Sequence, residues 1–135
     1  MATYTVDAVA VLCYLVDSLP RPADRIFTEG EAGEVVLHVP TTALAEVLYA
    51  VSREKDVRGV ELTATPEEVR RAVLTDGPLS LAPIGEDELG EFARIVDRFS
   101  IHDALVVASH RARETEAIVT SDGAIRESGV ETVWE

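Results

Sequence analysis

The sequence predicts one α/β domain, residues 1–135, built on a parallel sheet of about five strands with helices on both faces. Three observations carry that expectation. Short β-branched runs alternate with longer helical stretches along the whole chain. No linker, repeat or low-complexity segment divides it. At 135 residues it is large enough to bury a core without disulfides or a structural metal.

Tyr4-Thr-Val6 reads as a first strand ending on Asp7. The apolar run Ala8 to Val16 is ambiguous by periodicity, but Asp7 is a good N-cap and Pro20 and Pro22 mark a stop, so a buried helix is expected over 8–18. Ala23 to Ala32 reads as a polar surface helix ended by Gly33. Val35 to Val39 is the second strand, closed by Pro40. A long helix follows from Thr41 or Thr42 to about Glu54. On it Thr42, Glu46, Tyr49 and Arg53, at spacings of 4, 3 and 4, share one narrow face.

Thr65-Pro-Glu-Glu68 is a helix start with a Thr N-cap, Pro in the first turn and Glu in the capping-box position. That helix is expected to reach Thr75 and stop at Asp76-Gly-Pro78. Leu79 to Ile84 is the third strand, and Glu86 to Arg98 an acidic-starting helix. Ser100-Ile-His-Asp103 has capping-box spacing, with Asp103 expected to reach back to the Ser100 backbone. The helix it opens is apolar nearly all round from Ala104 to Ala108. Ala117 to Thr120 is the fourth strand, ending in Ser121-Asp122-Gly123. A short helix and a last strand, Val130 to Trp134, complete the chain.

The net charge is −13, from 25 acidic and 12 basic residues, and Lys55 is the only lysine. Such a charge opposes nucleic-acid binding at ordinary salt. It also fits a halophilic protein, because near 1 M salt the screening length falls to roughly 3 Å. The N-terminus lacks a basic region and the apolar runs are too short to span a bilayer, so a soluble, cytoplasmic protein without membrane attachment is expected. The lone Cys13 sits in an apolar run and reads as a core residue.

Asp7, Glu46, Asp103 and Asp122 stand where apolar structure surrounds them. Each has a bland reading: a cap for Asp7 and Asp103, a solvated stripe for Glu46, a turn for Asp122. In a parallel sheet, however, ligands bind beyond the carboxyl ends of the strands, and Asp7 and Asp122 each follow a strand end. Two carboxylates 5 Å apart repel by roughly 3 kcal/mol at an effective dielectric of about 20. Four converging ones call for a hard divalent cation, and an all-oxygen set points to Mg2+ or Mn2+.

Asp7 after the first strand, Glu46 in Ala-Leu-Ala-Glu-Val-Leu, Asp103 in His-Asp-Ala-Leu-Val-Val-Ala and Asp122 in Val-Thr-Ser-Asp resemble, in order and motif, a PIN domain. Among these the chain is most similar to the VapC-type ribonuclease toxins of toxin–antitoxin pairs, along essentially its whole length. The resemblance implies a metal-dependent endoribonuclease in which the four carboxylates hold one or two Mg2+ or Mn2+ ions and an RNA phosphodiester is hydrolysed. It also implies a VapB-like antitoxin, whose basic residue would enter the acidic pocket, and a homodimer.

Thr120 and Ser121 are candidates for positioning water or substrate, and Arg53 and Arg98 for contacting RNA. Lys55, Arg58, Arg94, Arg111 and Arg113 are further basic residues around the site. His102 reads as a structural histidine. Two positions depart from the family: Val9 stands where Ser or Asn is usual, and Ala124-Ile125 where Asp and Phe are common. They keep open an alternative, a catalytically inactive PIN-like module that binds RNA or a partner. A receiver-like phosphoacceptor is a more distant reading, since it requires a lysine at a strand end and Lys55 follows a helix.

Overall fold

The computed structural model describes residues 1–135. In chain order its elements are β1 (Thr3–Val6), α1 (Ala8–Leu15), α2 (Arg21–Glu31), β2 (Val36–Pro40), α3 (Thr41–Ser52) and the short strands β3 (Asp56–Val57) and β4 (Val60–Glu61). There follow α4 (Pro66–Arg70), β5 (Leu79–Ala82), α5 (Glu86–Ile95), α6 (Ile101–Arg113), β6 (Ala117–Val119), α7 (Gly123–Glu127) and β7 (Thr132–Val133).

Five strands form one parallel sheet in the order β5-β2-β1-β6-β7, with Thr5 of β1 opposite His38 on one side and Ile118 on the other. The chain leaves the central strand toward β2 and β5, then returns to the other side as β6 and β7. The reversal puts a topological switch point at the carboxyl ends of β1 and β6. Helix α6 packs across β1, β2 and β6, and α1 packs on α3. One apolar core joins the sheet (Val6, Leu37, Ile118) to the helices (Val11, Val47, Val107). Cys13 is fully buried in it, as its apolar neighbours predict. No helix is long and apolar enough to cross a membrane.

Local chemistry sets most boundaries. The Thr65–Glu68 capping box forms in both directions, with bonds of 2.9 and 3.1 Å. Glu88 opens α5 by accepting from the Gly85 N–H at 2.6 Å. Helix α2 begins two residues earlier than its sequence pattern indicates, because Pro22 is tolerated in a first turn. Strand β5 ends at Ala82, short of Ile84, since Pro83 has no N–H to continue a ladder.

Other boundaries differ for tertiary reasons. After Arg70 the expected α-helix widens into a π-turn over Arg71–Thr75, closed by the Asp76 N–H donating to the Arg71 carbonyl at 2.9 Å. Gly77 lies so close beneath it that a Cβ there would stand 2.0 Å from the Ala72 carbonyl oxygen. Helix α5 stops at Ile95 and tightens into a 3-10 turn over Val96–Arg98. The β3–β4 hairpin is a feature the sequence reading lacks. Its two-residue loop, Arg58-Gly59, has φ of 52° and 81°, the left-handed pair that a type I′ turn needs.

Candidate active site

Each of the four acidic residues is placed by a different element. Asp7 ends β1; its backbone N–H donates to the Val119 carbonyl and its Oδ1 caps α1 by accepting from the Ala10 N–H at 2.9 Å. Asp122 follows β6, and its Oδ2 caps α7 by accepting from the Ile125 N–H at 3.0 Å. Asp103 lies in the first turn of α6, and Glu46 projects from the middle of α3. All four line one hollow of about 120 Å3 at the switch point, together with Val9, His102 and Ser121.

The capping readings of Asp7 and Asp122 are therefore physically real, and do not compete with a shared site. The Ser100–Asp103 box is corrected. Ser100 Oγ accepts from the Asp103 N–H at 3.3 Å, but no return bond from the Ser100 N–H to the Asp103 carboxylate forms. The Asp103 carboxylate lines the hollow, with the Ser100 hydroxyl and Asp122 as its neighbours.

Thr120, fully buried, donates its hydroxyl to Asp7 Oδ2, and Thr120 Oγ1 in turn accepts from the Asp122 N–H at 3.0 Å. It touches two of the four acids and sits behind the site. Ser121 lines the hollow. His102 is a partnered histidine on the rim of the hollow. It is exposed, and its Nδ1 stands 3.2 Å from Glu46 Oε1. Adjacency to Asp103 in the sequence could not show that pairing, since it needs α6 to meet α3.

The charges resist being together. Burial pushes the Asp7 carboxyl up to about 6; the Thr120 and Ala10 hydrogen bonds pull it down, and the Asp103 and Asp122 charges raise it further. Asp103 is raised by burial and then by Asp122, with Ser100 and His102 acting the other way. Glu46 is raised by burial, lowered by His102 and raised by Asp103. No three Asp, Glu, His or Cys side chains already stand in ligating geometry. The donor set nevertheless fits a hard divalent cation: four carboxylates, of which Asp7, Glu46 and Asp103 are raised in part by acidic neighbours, around a hollow of a few water volumes. Asp7 and Asp122 would keep their capping bonds while their remaining lone pairs turned to the ion.

The basic candidates divide. Arg53 stacks over Tyr49, its guanidinium carbon 4.8 Å from the ring centroid. Arg98 is exposed in the turn before α6 and lines neither the hollow nor the groove beside it. Arg94 and Arg111 are tied to Glu91. Arg113 donates to the Pro83 carbonyl at 3.2 Å. Val9 is 45% exposed and walls the hollow with methyl groups, whereas Ala124 of α7 is exposed and does not line it.

No protein-family model matches the chain, and no curated protein matches it by sequence. Solved structures do. VapBC2 from Rickettsia felis, solved bound to a fragment of its promoter DNA, superposes with a TM-score of 0.73 at 13% identity over 98% of this chain and 99% of that one. VapC20 of Mycobacterium tuberculosis, a toxin that cleaves the sarcin–ricin loop, gives 0.68 at 16% identity over 98% and 99%. FitAcB from Neisseria gonorrhoeae gives 0.62 at 13% identity over 96% and 95%. Near-complete coverage in both directions, with the same parallel sheet and flanking helices, gives this chain the fold of the VapC-type PIN-domain proteins.

Proposed function

We propose that the chain is a metal-dependent endoribonuclease of the VapC kind, a toxin held in check by a VapB-like antitoxin. The observation that carries this is the convergence of Asp7, Glu46, Asp103 and Asp122, from four elements, on one hollow at the switch point. The likeness to a toxin that cleaves the sarcin–ricin loop supports RNA as the substrate. The likeness to VapBC complexes supports the antitoxin.

Asp7, Glu46, Asp103 and Asp122 would hold Mg2+ or Mn2+, as one or two ions. The ion supplies Lewis acidity and counter-charge to the phosphodiester. The chain's own groups do the rest. Thr120 and the Ala10 N–H fix the Asp7 carboxylate in one orientation. His102 orients Glu46, the carboxylate placed at the mouth between hollow and groove. Burial raises the proton affinity of the Glu46 carboxylate, while His102 beside it favours the ionised form that can accept a proton from an attacking water. Attack of water in line with the 3′ oxygen would form the new P–O bond as P–O3′ breaks, giving a 5′-phosphate and, once the leaving oxygen takes a proton from solvent, a 3′-hydroxyl.

Ser121, on the hollow's wall, is placed to orient water or a phosphate oxygen. Arg53 contacts RNA beyond the hollow, and Arg98 reaches it from the α6 side. The protein is a cytoplasmic homodimer, for which the exposed apolar side chains of Leu89 on α5 and of Val96 and Ile101 beside the α5–α6 turn are available. The acidic, lysine-poor surface suits a halophilic cell.

The test is cleavage of an RNA pool in molar KCl with Mg2+ or Mn2+, comparing wild type with Asp103→Asn. The substitution is expected to cut the rate by at least roughly a hundredfold, since even outer-shell partners of metal ligands contribute about 10–100-fold. Undiminished cleavage would sink the assignment of Asp103. One observation favours a second reading: Val9 presents methyl groups where a polar support would help a metal site. A folded, metal-loaded wild type that binds RNA without cutting it would establish that non-catalytic module.

A further inference from the structure

Beside the acidic hollow the surface opens into a groove of about 700 Å3 between α1 and α3, and the two share Ala8, Val9, Glu46 and His102. The end away from the acids is formed by Tyr49, Ala50 and Lys55. Tyr49 is 56% exposed. Over its ring stand the Arg53 guanidinium, 4.8 Å from the centroid, and the Lys55 ammonium, 5.8 Å from it. The only lysine of the chain and an arginine are thus gathered on one aromatic ring next to the acidic site. On the groove wall, Thr42 Oγ1 is buried without a hydrogen-bond partner.

A chain of net charge −13 exerts no general attraction on a polyanion, so any cation that meets a phosphate must be placed locally. Lys55 is the only Lys or Arg that lines the groove or the hollow, and Arg53 adjoins it on the Tyr49 ring. Aromatic faces combined with backbone-tracking cations are how single strands are held without sequence readout. Glu46, Tyr49 and Arg53 follow one another along α3, so Tyr49 is about 4.5 Å and Arg53 about 10 Å along the axis from the acid.

Building on the ribonuclease reading above, we propose that this end of the groove is a nucleotide subsite. The Tyr49 ring stacks on an unpaired base next to the scissile phosphate, and Arg53 and Lys55 neutralise the phosphate that follows. An apolar groove also accommodates a peptide helix, but two cations on an aromatic ring match an anionic chain with π faces.

The experiment measures binding of a short fluorescein-labelled single-stranded oligouridylate by anisotropy, with Mg2+, all variants carrying Asp103→Asn. Tyr49→Ala is expected to weaken binding roughly tenfold, while Tyr49→Phe and Tyr49→Trp stay within about twofold of the parent. Arg53→Ala and Lys55→Ala should each lower the slope of log K against log salt by about 0.7. All three side chains are exposed, and circular dichroism verifies the folds.

RNA binding indifferent to Tyr49→Ala, with wild-type cleavage intact, overturns the subsite alone. The same indifference combined with weakened capture of the proposed VapB-like antitoxin by Tyr49→Ala assigns the groove to a peptide, and also overturns it. A parent without RNA affinity, beside a wild type without cleavage, removes the ribonuclease reading and the subsite together.

Discussion

Thr120, at the end of β6, donates its hydroxyl to the carboxylate of Asp7 at the end of β1, tying together the two strands that flank the switch point. Thr120 Oγ1 in turn accepts from the Asp122 N–H at 3.0 Å, so one buried hydroxyl steadies two of the four acids.

Thr120→Val keeps the shape and removes both bonds. A buried acceptor left unsatisfied costs about 1–3 kcal/mol, to be read as a lower midpoint in urea denaturation. The Thr120 bond holds the Asp7 carboxyl down, so its loss lifts that carboxyl further above about 6. Any cleavage activity should then lose its acid limb at a higher pH than in wild type, while Thr120→Ser restores both properties.

Without divalent metal, stability should fall between about pH 4 and pH 6. Asp7 ordinarily titrates at 3.8 and is raised to about 6 in the fold, so the folded state binds the proton more tightly than the unfolded chain. The penalty is absent below the ordinary value, grows as pH rises through this window, and is complete above it, at most roughly 3 kcal/mol. Asp7→Asn removes the charge and keeps an oxygen for the Ala10 N–H. Its melting temperature at pH 7.5 should exceed that of metal-free wild type, and the difference should vanish near pH 4.

Mg2+ or Mn2+ should reverse that order. An ion bound only by the folded state adds about 2.7 kcal/mol at a hundred times its Kd. Thermal shift titrations should show wild type rising with metal, returning with EDTA, and Asp103→Asn responding weakly. An equal response of the variant would place the ion elsewhere.

Raising KCl from low to molar concentration should stabilise the protein, because 25 acidic and 12 basic residues share one small surface. The melting temperature in KCl should climb well past the point where specific metal binding saturates. A flat profile would dissociate the acidic composition from any adaptation to salt.

Much of the fold was legible because its signals are local. The Thr65–Glu68 capping box, the Asp7 cap and the prolines after the first helix and the second strand act over three or four residues, which sequence spacing displays directly. The π-turn at Arg71–Thr75 was not legible: its i to i−5 bond and the tight seat of Gly77 against Ala72 and Val73 are not displayed by residue spacing. The Arg58-Gly59 hairpin could have been found from Gly59 between Val57 and Val60, which pair across the turn. The partner of His102 was not legible, because Glu46 lies 56 positions away on another helix.

The sequence by itself determined the order of strands and helices, the apolar faces that bury them, and the four acidic residues standing out against those faces. Periodicity and capping carry that information through neighbours along the chain. Only the tertiary structure decided that residues 7, 46, 103 and 122 share one hollow, that Thr120 joins two of them, and that Tyr49 gathers Arg53 and Lys55 beside it. The reason is physical: crossovers in a parallel sheet bring distant strand ends together at the switch point, and which side chains then touch is settled by how the helices pack.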